Sequence, residues 1–210
     1  MAKQSATATS KIESDIEASP RFALLLILGG VVGWLAAFSL IVERIRVATD
    51  PSAVLSCDVS PFISCKSVML SEQAALFGFP NPIIGLASFM APIVVGFAIL
   101  AGAKFKPWFW QLFALGNLLG FIFVIWLFSQ SLLVINVLCP YCMVAWAAMI
   151  PMFWAVTFLG LRDGFIPAPI RATEFLVRAY DWHWLASLLT YVVIIGAIAI
   201  RFWPFWHTLF

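Results

Sequence analysis

The chain has 210 residues, 63% of them hydrophobic and only 10% charged. A soluble domain is about half apolar and about a quarter charged, so the composition argues against a soluble globule, and the apolar runs reach membrane-spanning length. The formal net charge of +2 is too small to point to a nucleic-acid partner.

Residues 1–20 are polar, rich in Ser, Thr, Lys and Glu, and lack apolar periodicity; they read as a disordered cytoplasmic tail. The first apolar run, Phe22 to Val42, is closed by Glu43-Arg44. It is too long for the apolar core of a cleaved signal peptide and follows Glu13, Asp15 and Glu17, so it reads as a retained span. Residues 44–80 form a charged, Pro-containing loop that carries Cys57 and Cys65. Within it, Ser67 to Phe77 alternates Val68, Met69, Ala75 and Leu76 with Ser71, Glu72 and Gln73, which predicts one short amphipathic helix on the membrane surface. The second span is expected over Pro82 to Ala103 and the third over Trp108 to Phe128, opened by interfacial aromatics. A link over Ser129 to Val137 leads into the fourth, Cys139 to Leu161. A second charged loop, 162–182, precedes the fifth span, Trp184 to Trp203. No internal repeat is visible. His183 and His207 flank the last run without metal-ligand spacing and read as interfacial polar residues.

Lys and Arg set the orientation. With the N-terminus inside, Lys3, Lys11, Arg21, Lys104, Lys106, Arg162, Arg171 and Arg178 face the cytoplasm, against Arg44, Arg46, Lys66 and Arg201 outside. That arrangement places Cys57, Cys65, Cys139 and Cys142 together at the outer face.

Leu138-Cys139-Pro140-Tyr141-Cys142 heads the fourth run. Pro140 suits the first helical position, where its missing N–H costs nothing. Cys139 and Cys142 then share one face of the first turn, where backbone N–H groups and the helix dipole favour a thiolate. Zinc ligation, structural disulfides and inert buried thiols are the competing readings. The wide Cys57–Cys65 spacing argues against zinc, whereas an oxidising outer space permits staples. For Cys139 and Cys142 redox catalysis is preferred: so small a loop gains little from cross-linking, the helix start makes the bond reducible, and the pair borders the bilayer. For Cys57 and Cys65 stapling and catalysis stand even.

Cys57-Asp58-Val59-Ser60, Ser64-Cys65, Ser67-Val68, Ser71, then Phe77-Gly78-Phe79-Pro80-Asn81-Pro82-Ile83-Ile84-Gly85 and Cys139-Pro140-Tyr141-Cys142 together resemble the vitamin K epoxide reductase family, in its bacterial disulfide-forming, DsbB-like branch, over roughly residues 20 to 160. The resemblance implies an all-α integral membrane protein: a four-helix transmembrane bundle around a quinone (menaquinone or ubiquinone), within residues 21–161, plus a fifth transmembrane helix within 183–210. The cysteine loop and its short amphipathic helix would form a lid. Cys142 would stand nearest the quinone, Cys139 would exchange with Cys65, and Cys57 would face an outside protein. Ser71 and Asn81 would lie near the quinone head group; on their own residues they read as an N-cap and a turn residue between two prolines. Asn81 could donate to a quinone oxygen, and Phe77, Phe79, Phe121 and Trp146 could wall a flat apolar head group.

At Trp146 the chain departs from the vertebrate epoxide-reducing members, which carry tyrosine there, so epoxide reduction is not the expected activity. Some bacterial members continue into a fused thioredoxin-like domain; this chain stops at Phe210, so the expected partner is a separate DsbA-like thioredoxin-fold protein. The resulting expectation is a thiol oxidoreductase of the bacterial cell membrane that passes electrons from that partner through both cysteine pairs to quinone. The alternatives are a quinone or vitamin K epoxide reductase whose product is quinol, and a non-enzymatic scaffold stapled by disulfides.

Overall fold

The computed structural model describes residues 18–166 and 182–203; most of the expected tail and cytoplasmic loop, with Lys3, Lys11, Arg171, Arg178 and His207, lies outside them. The molecule is an all-α integral membrane protein, and among the described residues five helices are long and apolar enough to cross a bilayer. In chain order these are α1 (Pro20–Thr49), α3 (Pro82–Leu100), α4 (Pro107–Gln130), α5 (Pro140–Asp163) and α6 (His183–Arg201), with a short α2 (Cys65–Met69) and a 3₁₀ turn (Glu72–Ala75) between α1 and α3.

Local chemistry sets the helix ends. Ser19 caps α1 by accepting the Phe22 N–H, and proline opens α1, α3, α4 and α5. Gly102 and Gly164, both at positive φ, follow α3 and α5. Because Gly102 turns the chain there, α3 stops at Leu100 rather than at Ala103.

Helix α1 outruns the apolar pattern, continuing past Val42 to Thr49. Glu43 and Arg44 mark where the helix meets water, not where it ends: hydropathy reports bilayer thickness, whereas helicity continues wherever backbone bonds are made. At ~1.5 Å per residue the helix exceeds the ~30 Å hydrocarbon layer, so its last turns stand clear as a post for the cysteine loop. Similarly, the expected link over Ser129 to Val137 is helical through most of its length. It continues α4 as a π-helical turn, Ser131–Ile135, and breaks only where Asn136 adopts the left-handed conformation.

In the bundle α1 packs on α3 and α5, and α5 packs also on α4 and α6. Small residues permit the close α1–α3 approach. A Cβ at Gly96 would stand 2.8 Å from the Ala23 carbonyl oxygen, and one at Gly33 would enter the Phe89 ring. Helix α6 is peripheral, with only 6% of its apolar window buried. It is tied to α5 by two polar bonds, Trp154 Nε1 to Thr190 at 2.9 Å and the Tyr191 hydroxyl to the Ala147 carbonyl at 2.6 Å. Arg201 at its end donates to the Leu132 carbonyl and to the Asn136 side chain.

The amphipathic helix expected over Ser67 to Phe77 is two pieces, α2 and the 3₁₀ turn, broken at Leu70-Ser71. Ser71 leaves the helical region (φ −73°, ψ 152°) and its hydroxyl donates back to the Val68 carbonyl at 2.7 Å, so it does not cap the following turn. Asn81 holds that second piece from below: its amide donates to the Gln73 carbonyl at 2.7 Å and its side-chain oxygen accepts the Leu76 N–H at 3.1 Å.

Candidate functional site

All four cysteines converge where α5 begins. Cys57 and Cys65 form a disulfide with Cα atoms 5.7 Å apart, while Cys139 and Cys142 are free thiols. The Cys65 and Cys139 sulfurs are 3.4 Å apart in full burial, and Cys142 stands in the first turn of α5, the helix that Cys139 precedes. The sulfurs therefore form a continuous chain from the loop to the head of α5. Bonded to each other, Cys57 and Cys65 are not available as thiolate ligands for zinc.

The packing beneath this chain is its own small core. Leu40 and Val47 from α1, Leu55 from the loop and Met69 from α2 enclose Cys57, Cys65 and Cys139, with Val68 and Tyr141 against them. Burying a side chain of this kind contributes about 1.5–3 kcal/mol, which lets a loop outside the bilayer hold a fixed shape.

Backbone pairing then sets the register of the loop. The Ser64 N–H donates to the Leu138 carbonyl at 3.0 Å and the Leu138 N–H to the Phe62 carbonyl at 2.9 Å, a one-residue parallel bridge between Ile63 and Leu138. It fastens the residue before Cys65 to the residue before Cys139. Nothing in the sequence announces this bridge, because a single paired residue has no periodicity. Lys66 braces the loop further by donating to the Pro51 and Ala53 carbonyls at 2.6 and 3.1 Å.

Asp58 sits inside the disulfide loop as a hub. Its carboxylate accepts the Ser64 hydroxyl at 2.7 Å, the Lys66 N–H at 3.1 Å and the Leu55 N–H at 3.3 Å. Burial disfavours its charge, but these donors outweigh burial and hold the carboxyl below its usual range. A group with a depressed folded pKa contributes stability above its unfolded pKa and loses it as pH falls through the folded value. We expect loop order to persist in mild acid and to fail only below pH ~4. Asp58→Ala should weaken the loop by about 1–2 kcal/mol and remove this acid dependence. Hydrogen exchange at the Cys65 and Lys66 amides measures both effects, and unchanged protection in Asp58→Ala would refute the hub.

Cys139 is the residue before the first turn of α5. Its thiol is held below the usual cysteine value, first by the hydrogen bond with Cys142 and then by the Cys142 and Tyr141 N–H groups, against burial and the Asp58 charge. The direction agrees with a thiol at a helix start.

Beyond Cys142 lies a narrow cleft. Val68 of α2, Ser71, and Gln73 and Ala74 of the 3₁₀ turn line it together with Leu127 and Gln130 of α4, Ser131 and Ile135 of the π-helical turn, and Cys142 and Trp146 of α5. Trp146 is buried, with Phe128 edge-on at 5.4 Å. Apolar walls with a few hydroxyl and amide groups suit a flat quinone ring in kind. The volume of this cleft, about 20 Å³, holds roughly one water molecule, far less than a quinone ring.

Of the expected ring-binding residues, Ser71 and Trp146 line this cleft. Asn81 lies behind its roof, with its amide engaged by the lid backbone and its N–H on the Ala74 carbonyl. Phe77 is 60% exposed and stacks with Phe79 instead, and Phe121 stacks on Phe153 at 4.0 Å. A second groove, of about 580 Å³, is lined by loop residues that include Val54, Val59 and Leu70 with Asp58 and Lys66.

No curated protein matches the chain. The model of the Vitamin K epoxide reductase family matches residues 24–157, a stretch that contains all four cysteines, the lid, the bridge to Leu138 and α1 to α5 almost entire. With more than half of its length under that match and its two cysteine pairs joined at one helix start, the chain belongs to the vitamin K epoxide reductase family.

Proposed function

We propose that the protein reoxidises a secreted, DsbA-like thioredoxin-fold protein and delivers the electrons to a membrane quinone, thereby driving disulfide formation on the outer face of a bacterial cell membrane. The observation that carries this reading is the 3.4 Å approach of Cys65 to Cys139, since a stapled scaffold has no use for a free thiol against its staple.

A partner thiolate attacks the Cys57 sulfur, the Cys57–Cys65 bond breaks, and Cys65 leaves as thiolate. The second partner thiol resolves the mixed disulfide, so the partner gains a disulfide and the loop becomes a dithiol. The Cys65 thiolate then attacks Cys139 of an oxidised Cys139–Cys142 pair, releasing Cys142. Cys57 resolves the new bond, which restores Cys57–Cys65 and leaves Cys139 and Cys142 as thiols. A bound quinone supplies the two-electron acceptor, and the two protons it needs equal those the thiols release. Ser71 and Trp146 would hold the ring in the cleft at Cys142. The Val54–Val59–Leu70 groove, whose lining includes Asp58, Ser64 and Lys66, the chain neighbours of Cys57 and Cys65, would seat the partner, its apolar exposure on a polar loop being the kind that marks an interaction surface.

The test is the purified protein with a reduced DsbA-type protein and a short-chain quinone, following quinone absorbance and partner thiols together. One quinol should form per partner disulfide. If a small dithiol drives quinol formation but no thioredoxin-fold protein is oxidised, making quinol is the purpose. If neither donor reduces quinone, the oxidoreductase reading falls.

A further inference from the structure

Among the described residues Glu43 is the one charged side chain that is buried, at 5% exposure. A buried carboxylate is costly unless its oxygens are bonded, and this one is only half satisfied. Oε1 accepts the Ser56 hydroxyl at 2.9 Å and the Arg46 guanidinium at 3.4 Å, whereas Oε2 is buried without a partner. An apolar residue would suit the helix better, so the site needs another reason for an acceptor here.

The neighbours supply one. The Ser56 oxygen also lies 3.3 Å from the Tyr141 hydroxyl. A serine hydroxyl carries one hydrogen; with that hydrogen given to Glu43, Tyr141 must be the donor to Ser56. The bonds therefore run in one direction, from Tyr141 through Ser56 to Glu43, and only an acceptor at position 43 can end them. Ser56 immediately precedes Cys57, and Tyr141 lies between Cys139 and Cys142. One residue along α1, Arg44 donates to the carbonyl of Met69, the last residue of the helix that Cys65 begins. The projecting end of α1 thus grips the loop on both sides of its disulfide.

We propose that Glu43 is a positioning residue for electron transfer between the two cysteine pairs: acting through Ser56 and Tyr141, it latches the Cys57 arm to the head of α5 and so keeps Cys65 in reach of Cys139. Cys57 is 5% exposed, so an incoming thiol reaches it when Ser56 lets go, and the latch re-forms to bring Cys65 back to Cys139. The proposal rests on the two-pair relay above and adds the element that couples the pairs.

The readout is the rate at which, in a Cys142→Ala background, the Cys139 thiolate attacks Cys65 of the loop disulfide, breaking Cys57–Cys65, forming Cys65–Cys139 and releasing Cys57 as a thiol. The exchange is started by a jump from acid to alkaline pH and followed by acid quench and non-reducing peptide mapping. Adding Glu43→Ala should slow that rate about tenfold, the loss of one hydrogen bond to a charged group. Glu43→Gln keeps an oxygen acceptor for Ser56 and should stay within about twofold of the parent. A role confined to folding would not follow the acceptor in this way. Tyr141→Phe removes only the donor hydroxyl from a half-buried ring, and should slow the rate severalfold even if Glu43→Ala does not fold. Parental rates in Glu43→Ala or Tyr141→Phe overturn the latch, and so does a Glu43→Gln protein as slow as Glu43→Ala. If the Cys142→Ala parent itself forms no such bond, the relay fails first and the latch with it.

Discussion

Cys142→Ala should trap a Cys65–Cys139 disulfide and abolish quinone reduction. The two sulfurs are already 3.4 Å apart, and a disulfide of about 2.0 Å needs only a small shift of side chains that the Ile63–Leu138 bridge holds in register. In this variant Cys139 attacks Cys65 and releases Cys57 from the loop disulfide. With Cys142 gone, the bond is no longer undone by attack at Cys139 or drained toward the cleft, and only Cys57 can return it. Cys139→Ala, which cuts the chain in the middle, should abolish oxidation of both a protein partner and a small dithiol. Cys57→Ala should block the protein partner but spare quinone reduction driven by a small dithiol, which reaches Cys139 and Cys142 directly. Non-reducing peptide mapping and the quinone assay read these outcomes. Wild-type oxidation of the protein partner by both Cys57→Ala and Cys65→Ala would make the loop pair a staple, with the partner attacking Cys139 itself, and the two-pair relay would be wrong.

Much of this arrangement was legible in the residues. Pro140 after Cys139 marks a helix start, and α5 begins there; the five apolar runs became five helices. What the residues hid is what local patterns cannot encode. Glu43 and Arg44 look like the end of a span, yet the helix runs on because a carboxylate can turn inward under a loop and a guanidinium can reach a carbonyl of that loop. The lid looks like one amphipathic helix from its apolar spacing, but Asn81 captures the Gln73 carbonyl and the Leu76 N–H and so favours a tighter, separate turn. Phe77 was one candidate wall among many aromatics. Its exposure beside Phe79 depends on where the lid ends, which composition does not convey. The pairing of Leu138 with the loop joins segments distant in sequence, and only the folded bundle brings them together.

Asn81→Ala should slow quinone reduction by about 10²–10³, the range for losing one donor aimed at a developing negative charge, while thiol exchange between the cysteine pairs continues. The contacts of Asn81 sharpen the reason. Its amide binds the Gln73 carbonyl at 2.7 Å and its backbone N–H binds the Ala74 carbonyl at 2.9 Å, and Gln73 and Ala74 form the lid side of the cleft at Cys142. One N–H of the amide thus holds the lid, and the second is the candidate donor to a ring oxygen once the lid has lifted. Asn81→Asp keeps only one of the lid contacts: a carboxylate can still accept the Leu76 N–H, but it loses the donation to the Gln73 carbonyl together with any amide donor to the ring, and it brings a charge that opposes negative charge on the ring. If donation matters, Asn81→Asp is as slow as Asn81→Ala or slower. If only lid support matters, it recovers part of the rate. Both variants should still form the Cys65–Cys139 bond when combined with Cys142→Ala, because the bridge to Leu138 and the loop core do not involve position 81. Full quinone reduction by Asn81→Ala would leave Asn81 as a turn residue between two prolines, and the acceptor site would have to be sought among Ser71, Gln130 and Ser131 instead.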